Sequence, residues 1–353
     1  AMNNPKKKIT FALIGCGNIA KKHVTCIKSL PEASLVGVFD VNAENLESFS
    51  SEHDIQAFES LDTMLDKVEP DVLVVLTPSG AHAELVQRLA RHKKHILVEK
   101  PISLKLSDAK EMQDACQKYG STLSVVKQNR FNAPIRFARE LYDNNTLGNL
   151  FLGTVRVRWS RDQQYYDSAE WRGTWKNDGG VICNQAIHHI DMLQWFLGDV
   201  HSVYSSNANA ILDIEAEDTS VSVIKFKNGA LGLIEASTAI RPTDLEGSIS
   251  LLGTKGSIEI GGFAMNKISK LELEDSSLIN DSVRSMSNPS DFAYAHIEFY
   301  KDYIANILNN RSPTINAAEA IKSLKIVHAI YKSHNENREV LLDETELQTK
   351  LGI

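Results

Sequence analysis

The first 126 residues alternate short apolar runs with amphipathic stretches. The apolar runs predict β-strands at 8–14, 34–40, 71–76, 95–98 and 122–126, and the stretches between them predict helices near 18–29, 43–53, 80–92 and 105–118. Strands that alternate with helices build a parallel sheet, because each crossover lays a helix against a face of that sheet. We therefore predict a doubly wound α/β domain over residues 1–126.

The pattern changes after about residue 150. In FLGTVRVRWS, apolar and polar residues alternate, with Val155, Val157 and Trp159 on one face of a predicted strand. VSVIKFKNGALGLIEAS predicts a hairpin in which Asn228-Gly229 forms a two-residue turn with positive φ. ISLLGTKGSIEI predicts a second hairpin, so the second half is expected to contain an antiparallel sheet.

The end of the chain is predicted to be helical after a polar interruption. Two helices are expected near 292–310 and 316–334, and the polar stretch 275–291 is expected to be a mobile loop. Residues 127–353 are therefore predicted to form an α+β domain with a mainly antiparallel open sheet.

Length, charge and cysteine spacing limit the class of protein. A chain of 353 residues is long enough for two domains. Its net charge of −7 argues against broad binding to nucleic acid or acidic membranes. No apolar run approaches the roughly 18 residues of a membrane span. The four cysteines lack metal-ligand or redox spacing, so reduced thiols in a cytoplasmic protein are expected.

ITFALIGCGNIAKKH contains a GxGxxA pattern directly after the first predicted strand. Gly15 permits a tight turn, Gly17 lets the backbone approach a pyrophosphate, and Ala20 lets the next helix pack closely on the sheet. The second predicted strand ends in Asp40, whose carboxylate accepts hydrogen bonds from ribose hydroxyls and repels a 2′-phosphate. A lone glycine pattern is a weak signal, but its place between a strand and a helix favours an NAD site over a nucleotide-free unit.

Two further segments are expected at the edge of the sheet where Gly15 lies, because open parallel sheets bind ligands beyond the carboxyl ends of their strands. Thr77 and Pro78 follow the strand DVLVVL, and Glu99 and Lys100 follow the strand ILV. An ammonium at this edge can hold a substrate hydroxyl and stabilise the alkoxide character that develops as hydride leaves carbon. For an arbitrary Glu-Lys pair, a solvated surface ion pair is the commoner outcome.

GGVICNQAIHHIDMLQWF carries a second group of polar residues. A helix over 184–197 places four side chains in one narrow arc: Asn184, His188, Asp191 and Trp195. His188 then shares the polar face, whereas His189 lies about 100° further round and is expected to pack in the core. An imidazole titrates near neutral pH and is suited to take a hydroxyl proton. Adjacent helical histidines diverge, and no other ligand lies at metal spacing, so no metal is expected.

Cations and aromatic side chains concentrate between residues 130 and 176. They are Arg130, Arg156, Arg158, Arg161, Arg172 and Lys176, together with Tyr165, Tyr166, Trp171 and Trp175. Guanidinium groups suit carboxylates and phosphates, and aromatic rings can stack on a sugar or a uracil. Each residue alone is more often a solvated or core residue, but together they favour an anionic substrate.

GCGNIA, TPSGAH and EKP, in this order and spacing, resemble the family of glucose–fructose oxidoreductase and inositol dehydrogenase (Gfo/Idh/MocA) over essentially the whole chain. The resemblance implies that Lys100 contacts the reacting hydroxyl, that the proline after it is often cis, and that His188 is the general base. It implies cofactor contacts from Gly15, Gly17, Asn18, Ile19, Ala20, Asp40, Thr77, Pro78, His82, Glu99, Lys100 and Gln128. The expected substrate contacts are Lys100, Arg130, Arg158, Trp175, Asn184, Gln185, His188, Tyr294 and His296.

One departure concerns the branch of this family. Its polyol dehydrogenases commonly carry an aspartate four residues before the histidine, where this chain has Asn184. An amide can orient an imidazole or a substrate oxygen, but it carries no charge. NQAIHHIDMLQW, QNRFN (128–132) and WRGTWKNDGG (171–180) instead resemble the branch that oxidises C3 of UDP-N-acetylglucosaminuronic acid.

The resulting prediction is an NAD-dependent dehydrogenase of a nucleotide-linked sugar in surface-polysaccharide biosynthesis. Lys100 and His188 are expected to converge on one substrate oxygen. The alternatives are a dehydrogenase of free polyols such as inositol and a sugar sensor that holds NAD without turnover. The resemblance also implies a homodimer or homotetramer. Whether a 2-oxo acid recycles the cofactor in place stays open.

Overall fold

The computed structural model of the protein describes residues 8–289 and 293–353. The α-helices are α1 (Asn18–Ser29), α2 (Ala43–His53), α3 (Leu61–Val68), α4 (His82–Ala90), α5 (Leu106–Tyr119), α6 (Ala133–Asp143), α7 (Gln163–Asp167), α8 (Ile187–Leu197), α9 (Asp281–Arg284), α10 (Tyr294–Leu308) and α11 (Ala317–Glu336). The strands are β1 (Ile9–Ile14), β2 (Ala33–Phe39), β3 (Val72–Val75), β4 (His95–Val98), β5 (Thr122–Val125), β6 (Leu150–Arg158), β7 (Val200–Ala208), β8 (Thr219–Phe226), β9 (Leu231–Ser237), β10 (Glu246–Gly253), β11 (Gly256–Gly261), β12 (Lys267–Leu273) and β13 (Val340–Leu341).

The described chain divides into two compact units. The first comprises residues 8–103, 107–128 and 293–320, and the second comprises 104–106, 129–289 and 321–353. A single boundary after residue 126 does not describe this arrangement, because the segment containing α10 returns to the first unit. Linear sequence patterns carry no signal for such a return.

The first unit is built on a parallel sheet in the order β2-β1-β3-β4-β5. Its inner strands are short apolar runs, and β3 is fully buried along its length, as is usual for parallel strands covered on both faces. The prediction of a doubly wound domain is confirmed. One helix was not predicted: α3 begins after Ser60, whose hydroxyl accepts a hydrogen bond from the Thr63 N–H and caps the helix.

The second unit contains an eight-stranded sheet in the order β12-β11-β10-β6-β9-β8-β7-β13. Its pairs are antiparallel except for β6 with β9, which run parallel. Val155 and Val157 of β6 are fully buried in a core shared with Leu193 and Phe196 of α8. The opposite face of the sheet carries exposed apolar side chains at Tyr204, Val221, Val223 and Leu231. The predicted mainly antiparallel open sheet is confirmed.

The turn between β8 and β9 differs from the predicted one. Only Gly229 has a positive φ, at +91°, and its N–H donates to the Phe226 carbonyl oxygen. The Phe226 N–H in turn donates to the Ala230 carbonyl oxygen at 3.0 Å. The loop therefore has three residues, with Asn228 in an ordinary conformation and the glycine alone in the left-handed region.

The predicted loop over residues 275–291 contains two short helical segments, Ser276–Leu278 and α9. Val283 and Met286 pack against the core of the second unit, so the expectation of a wholly irregular segment was wrong. Residues 290 and 291 of the predicted loop lie outside the described chain. Residue 292, the predicted first residue of the helix that is observed as α10, also lies outside it.

No helix among the described residues has the length and apolar character needed to cross a membrane. The four cysteines all lie in the described part of the chain, are buried and form no disulfide bond.

Candidate active site

The turn between β1 and α1 excludes any side chain at its first glycine. Gly15 has a φ of +110°, and a Cβ there would lie 2.7 Å from the Leu76 carbonyl oxygen. Its N–H donates to the Phe39 carbonyl oxygen at 2.8 Å, which joins the carboxyl ends of β1 and β2. Around Gly17 no neighbouring atom of the described chain lies within 4 Å of the Cβ position. The backbone there is open to a ligand, as a pyrophosphate requires.

The amino end of α1 is suited to an anion. Within the described chain no side chain caps it, and its first turn contains no acidic residue, so its first N–H groups and the positive end of its dipole are not used internally. Asn18 is exposed and Ile19 half-buried. Ala20 is fully buried, which lets the helix lie close to the sheet.

Asp40 is held in place by backbone donors at the end of β2. Its Oδ2 accepts the Cys16 N–H at 2.7 Å, and its Oδ1 accepts the Asn42 N–H at 2.8 Å. Two carboxylate oxygens have about four acceptor positions, so positions remain for the two hydroxyls of a ribose. The residues of this edge therefore fit an NAD molecule, with the pyrophosphate at α1 and the ribose at Asp40.

The segment after β3 contains a buried hydroxyl that has no hydrogen-bond partner in the described chain and a histidine whose ring nitrogens contact the first unit. The Thr77 hydroxyl oxygen is buried without a hydrogen-bond partner among the described residues, and Pro78 is exposed. His82 is 1 % exposed, with Nε2 at 3.0 Å from the Thr77 carbonyl oxygen and Nδ1 at 2.9 Å from that of Pro101. Because both of its ring nitrogens are used inside the unit, we do not retain His82 as a cofactor contact.

The EKP segment directly follows β4. Lys100 is half-buried, and its bond to Pro101 is cis. Glu99 is 7 % exposed; its Oε1 lies 2.9 Å from His23 Nε2, and its Oε2 accepts the Lys100 N–H at 3.0 Å. Both carboxylate oxygens of Glu99 thus contact atoms of the first unit itself, so we do not propose Glu99 as a cofactor contact either. Gln128 is half-buried after β5 at the same edge.

Helix α8 of the second unit begins at Ile187, later than the predicted helix over 184–197. The residues before it form turns, in which the Ala186 N–H donates to the Val181 carbonyl oxygen, a wider step than an α-helical bond. Asn184, the first residue of the predicted helical arc, therefore lies before the helix, and its predicted place in that arc was wrong. The cause lies in a distant residue, Glu217, which binds this turn.

Glu217 was missed by the sequence analysis. Its carbonyl oxygen accepts the Val181 N–H at 3.0 Å, and its Oε1 accepts the Ile182 N–H at 2.9 Å and the Tyr331 hydroxyl at 3.1 Å. A Cβ at Gly180 would lie 2.2 Å from the Glu217 carbonyl oxygen, so only glycine allows this approach. The Gly179-Gly180 pair before the helix was the feature of the sequence that could have indicated this close approach.

Burial raises the pKa of Glu217 to about 7, against the hydrogen bonds that favour its carboxylate. Its ordinary value is 4.5, so the folded protein keeps this proton to higher pH than the unfolded chain does. The resulting stability is complete below about pH 4.5 and is lost as the pH rises through about 7, a change of roughly 3 kcal/mol.

Glu217→Gln should remove this pH dependence of the free energy of unfolding, measured by urea unfolding between pH 5 and 8. Glu170→Gln, at an exposed glutamate, should keep it; equal slopes in both variants would contradict the assignment.

Asn184 is oriented by a buried carboxylate that the sequence analysis also missed. Its Nδ2 donates to Asp178 Oδ1. Asp178 is 3 % exposed, and its Oδ2 accepts the Gly173 N–H at 2.7 Å. The amide side chain is therefore fixed by a negative charge that lies six residues earlier in the chain. The chain thus has a carboxylate beside position 184, although not at that position.

Of the two adjacent histidines of α8, His189 lies in the core, as predicted. His188 is 9 % exposed. His189 is fully buried, its ring lies edge-on to Trp159 at 5.8 Å, and burial lowers its pKa to about 3. A histidine held neutral in the core serves packing, so His188 is the one suited to proton transfer.

Arg130 and Asp191 form a buried bidentate ion pair. Arg130 Nε and one terminal nitrogen lie 2.8 Å from the two Asp191 carboxylate oxygens, and the guanidinium stacks 4.7 Å above the Trp195 ring. Asp191 Oδ1 also accepts the Ser323 hydroxyl at 3.1 Å. The guanidinium fork that was expected to bind substrate is thus occupied by a residue of α8. We assign Arg130 to holding the helix that carries His188.

Arg158 was expected to bind substrate, but its charge is already neutralised. Its guanidinium lies 2.6 Å from Glu235 Oε1 and 2.8 Å from Glu246 Oε1. In β6 it alternates with the buried Val157, so it points to the face of the sheet opposite α8. Arg158 is therefore left out of the candidate site.

Four other predicted residues have mixed outcomes. Trp175 is half-buried and packs edge-on against Tyr331 at 4.9 Å, at the edge of the second unit's core. Gln185 is 7 % exposed, and its side-chain oxygen has no partner in the described chain, which keeps it a candidate acceptor. Tyr294 is half-buried at the start of α10. His296 is 5 % exposed and lies edge-on to His23 at 5.9 Å inside the first unit.

Two family models match the chain, one before and one after the end of β5, and the second match includes residues 293–320 of the first unit. Residues 9–127 match the NAD-binding Rossmann fold of the Gfo/Idh/MocA oxidoreductase family, and residues 139–342 match that family's C-terminal alpha/beta domain.

Solved structures similar to this chain include two WlbA dehydrogenases in complex with NADH and UDP-GlcNAcA. The enzyme from Bordetella pertussis is 35% identical with a TM-score of 0.89, over 96% of this chain and 99% of that one. The enzyme from Chromobacterium violaceum is 33% identical with a TM-score of 0.88, over 98% and 100%. A myo-inositol 2-dehydrogenase from Thermotoga maritima is 27% identical over 95% of this chain and 98% of its own length.

Proposed function

Because the chain belongs to the Gfo/Idh/MocA family of NAD-dependent oxidoreductases, we propose that it oxidises C3 of UDP-N-acetylglucosaminuronic acid. The observation that carries this proposal is the similarity, over nearly the whole chain, to two dehydrogenases that bind UDP-GlcNAcA. The similarity to an inositol dehydrogenase is lower. Asn184 in place of an aspartate also favours the nucleotide-sugar branch over the polyol branch.

The proposed reaction removes a hydride from carbon and a proton from oxygen. The glycine turn after β1 and Asp40 would hold NAD, which would supply the hydride acceptor. Lys100, at the carboxyl edge of the parallel sheet, holds the hydroxyl oxygen and stabilises the negative charge that develops on it. His188 accepts the hydroxyl proton as general base. The products are a 3-keto sugar, NADH and one proton, so atoms and charge balance.

The acidic substrate needs cations, and the two guanidinium groups discussed above are already paired. Arg172 is a better candidate, because its guanidinium bonds to the Tyr165 hydroxyl at 2.7 Å and to no carboxylate of the described chain. It lies 4.3 Å from the Tyr165 ring and 4.6 Å from the Trp171 ring. We propose that this group recognises the anionic part of the substrate, with Asn184 and Gln185 binding sugar hydroxyls.

The substrate is tested by following NADH absorbance with three compounds at saturating NAD. UDP-N-acetylglucosaminuronic acid should be oxidised, with a 3-keto product identified by mass spectrometry. UDP-N-acetylglucosamine, which lacks the carboxylate, should react at least about tenfold less efficiently, since an ion pair to a charged group contributes roughly 1.5–3 kcal/mol. Turnover of myo-inositol alone would overturn the proposal in favour of a polyol dehydrogenase.

The same assay also tests the sensor alternative and the recycling of the cofactor. Absence of turnover with every sugar, together with tight NAD binding, would favour the sensor alternative. Release of NADH in more than one equivalent per enzyme without added 2-oxo acid would show that in-place recycling is not required.

We also propose that the open face of the second unit's sheet joins copies of this chain into a homodimer or homotetramer acting in the cytoplasm. The exposed Tyr204, Val221 and Val223 lie on adjacent strands β7 and β8, where paired burial of apolar area stabilises association. Light scattering should give two or four copies for the wild-type protein, and Val223→Glu should reduce that number.

A further inference from the structure

A buried chain of hydrogen bonds ends at the backbone of Lys100. The proposed reaction does not use the other members of this chain. Tyr300 and His23 are both 0 % exposed. The Tyr300 hydroxyl lies 2.6 Å from His23 Nδ1, and His23 Nε2 lies 2.9 Å from Glu99 Oε1. The other oxygen of Glu99 accepts the Lys100 N–H at 3.0 Å. The chain therefore links α10, α1 and the EKP segment within the first unit.

The protonation of the two ends of this chain can be assigned. Burial opposes the ionisation of Glu99, but the hydrogen bond from His23 and the charges of His23, His296 and Lys100 together lower its pKa to about 2. Burial raises the pKa of Tyr300 well above its ordinary value, so the phenol keeps its proton. The Tyr300 hydroxyl therefore has a hydrogen to donate toward His23 Nδ1, and the Glu99 carboxylate can accept a hydrogen from His23 Nε2.

We propose that Tyr300, His23 and Glu99 act as positioning residues for Lys100. The carboxylate fixes the Lys100 backbone through its N–H, and its negative charge attracts the ammonium. This attraction is mutual, since the Lys100 charge is one of the causes that lower the pKa of Glu99. The inference deepens the proposed function and rests on the role of Lys100 within it.

A metal ion is the rival explanation of the same cluster. Ligand atoms of His23, Glu99 and His296 lie within 4.8 Å of one another, a spacing that zinc also accepts. However, His23 Nδ1 lies 2.6 Å from the Tyr300 hydroxyl, and His23 Nε2 lies at hydrogen-bond distance, 2.9 Å, from Glu99 Oε1. The hydrogen-bond chain accounts for both distances without an ion, and the zinc content measured below decides between the two explanations.

The first experiment measures the lysine without any substrate. Glu99→Gln keeps the shape of the side chain and removes its charge. The time course of Lys100 labelling by an amine-reactive reagent at one fixed pH, read by mass spectrometry on the cofactor-free protein, should become about threefold faster or more, because the ammonium loses the neighbouring carboxylate. His95→Gln is the matched control: that ring bonds Thr122 Oγ1 at 2.8 Å from the opposite end of β4. It should leave the Lys100 labelling rate unchanged.

The second experiment uses Tyr300→Phe, which removes one oxygen atom from a side chain too deeply buried to touch a ligand. The expected result is a kcat about three- to tenfold lower, as for loss of one hydrogen bond, with the dissociation constant for NADH changed less than about twofold. Equal kcat together with an unchanged Lys100 labelling rate in Glu99→Gln would overturn the positioning role. Stoichiometric zinc in the wild-type protein that is lost in Glu99→Gln would also overturn it, in favour of the metal. Failure of the proposed function looks different, because the wild-type protein would then not oxidise the UDP-sugar acid at all.

Discussion

Lys100→Met should lower kcat for UDP-N-acetylglucosaminuronic acid by about 100-fold or more. Methionine has nearly the length of lysine but has no charge and no donor, so the developing negative charge on the substrate oxygen loses its stabilising group. The affinity for NADH should change less than about threefold, because the glycine turn and Asp40, which we expect to bind the dinucleotide, are unaltered. Steady-state kinetics and NADH fluorescence titration measure the two quantities separately.

The matched control for this variant is Lys110→Met. Lys110 is exposed on α5 and, within the described chain, pairs with Asp114 at 3.1 Å, so its loss should leave kcat within about twofold of the wild-type value. Full turnover by the Lys100 variant would remove the lysine from the reaction. The sensor alternative predicts that outcome, since it assigns no chemistry to this residue.

His188→Ala should lower kcat at neutral pH by about 100-fold or more, the usual contribution of a general base. Raising the pH should reduce the defect, because hydroxide can take the proton in place of the missing imidazole. Imidazole added to the solution should restore part of the activity. The measurements are the pH dependence of kcat and its dependence on imidazole concentration.

The control for the second variant is His201→Ala, which removes an exposed histidine of β7 in the same unit. Its kcat and pH dependence should match those of the wild-type protein. If the His188 variant keeps the wild-type pH dependence, the proton is accepted elsewhere. Asp178, which binds Asn184 through a buried carboxylate, would then be the next residue to replace.

Local signals predicted the first unit well, because its inner strands β3 and β4 are buried and consist mainly of apolar residues. Predicted strands at 8–14, 95–98 and 122–126 agree with β1, β4 and β5 to within one residue. The same signals missed α3, whose short amphipathic pattern follows a capping serine. They also missed the return of residues 293–320 to the first unit, since a helix pattern does not specify which sheet it packs on.

Predictions about charged side chains were the least reliable, because charge neutralisation depends on residues far along the chain. Arg158 pairs with Glu235 and Glu246 across two neighbouring strands, and Arg130 pairs with Asp191 of α8. Each arginine looked like a free cation in the sequence. Helical periodicity, by contrast, correctly predicted His189 as a core residue, because that prediction depends only on nearby positions of one helix.

The sequence alone determined the parallel sheet, the glycine turn, the acid at the end of β2 and the family, since each depends on residues that are near one another in the chain. Only the tertiary structure decided which polar groups remain for a ligand. Glu217 shapes the turn before α8, Asp178 orients Asn184, and Tyr300 reaches Lys100 through His23 and Glu99. These contacts join residues separated by up to hundreds of positions, and burial makes them specific because a buried polar group without a partner costs free energy.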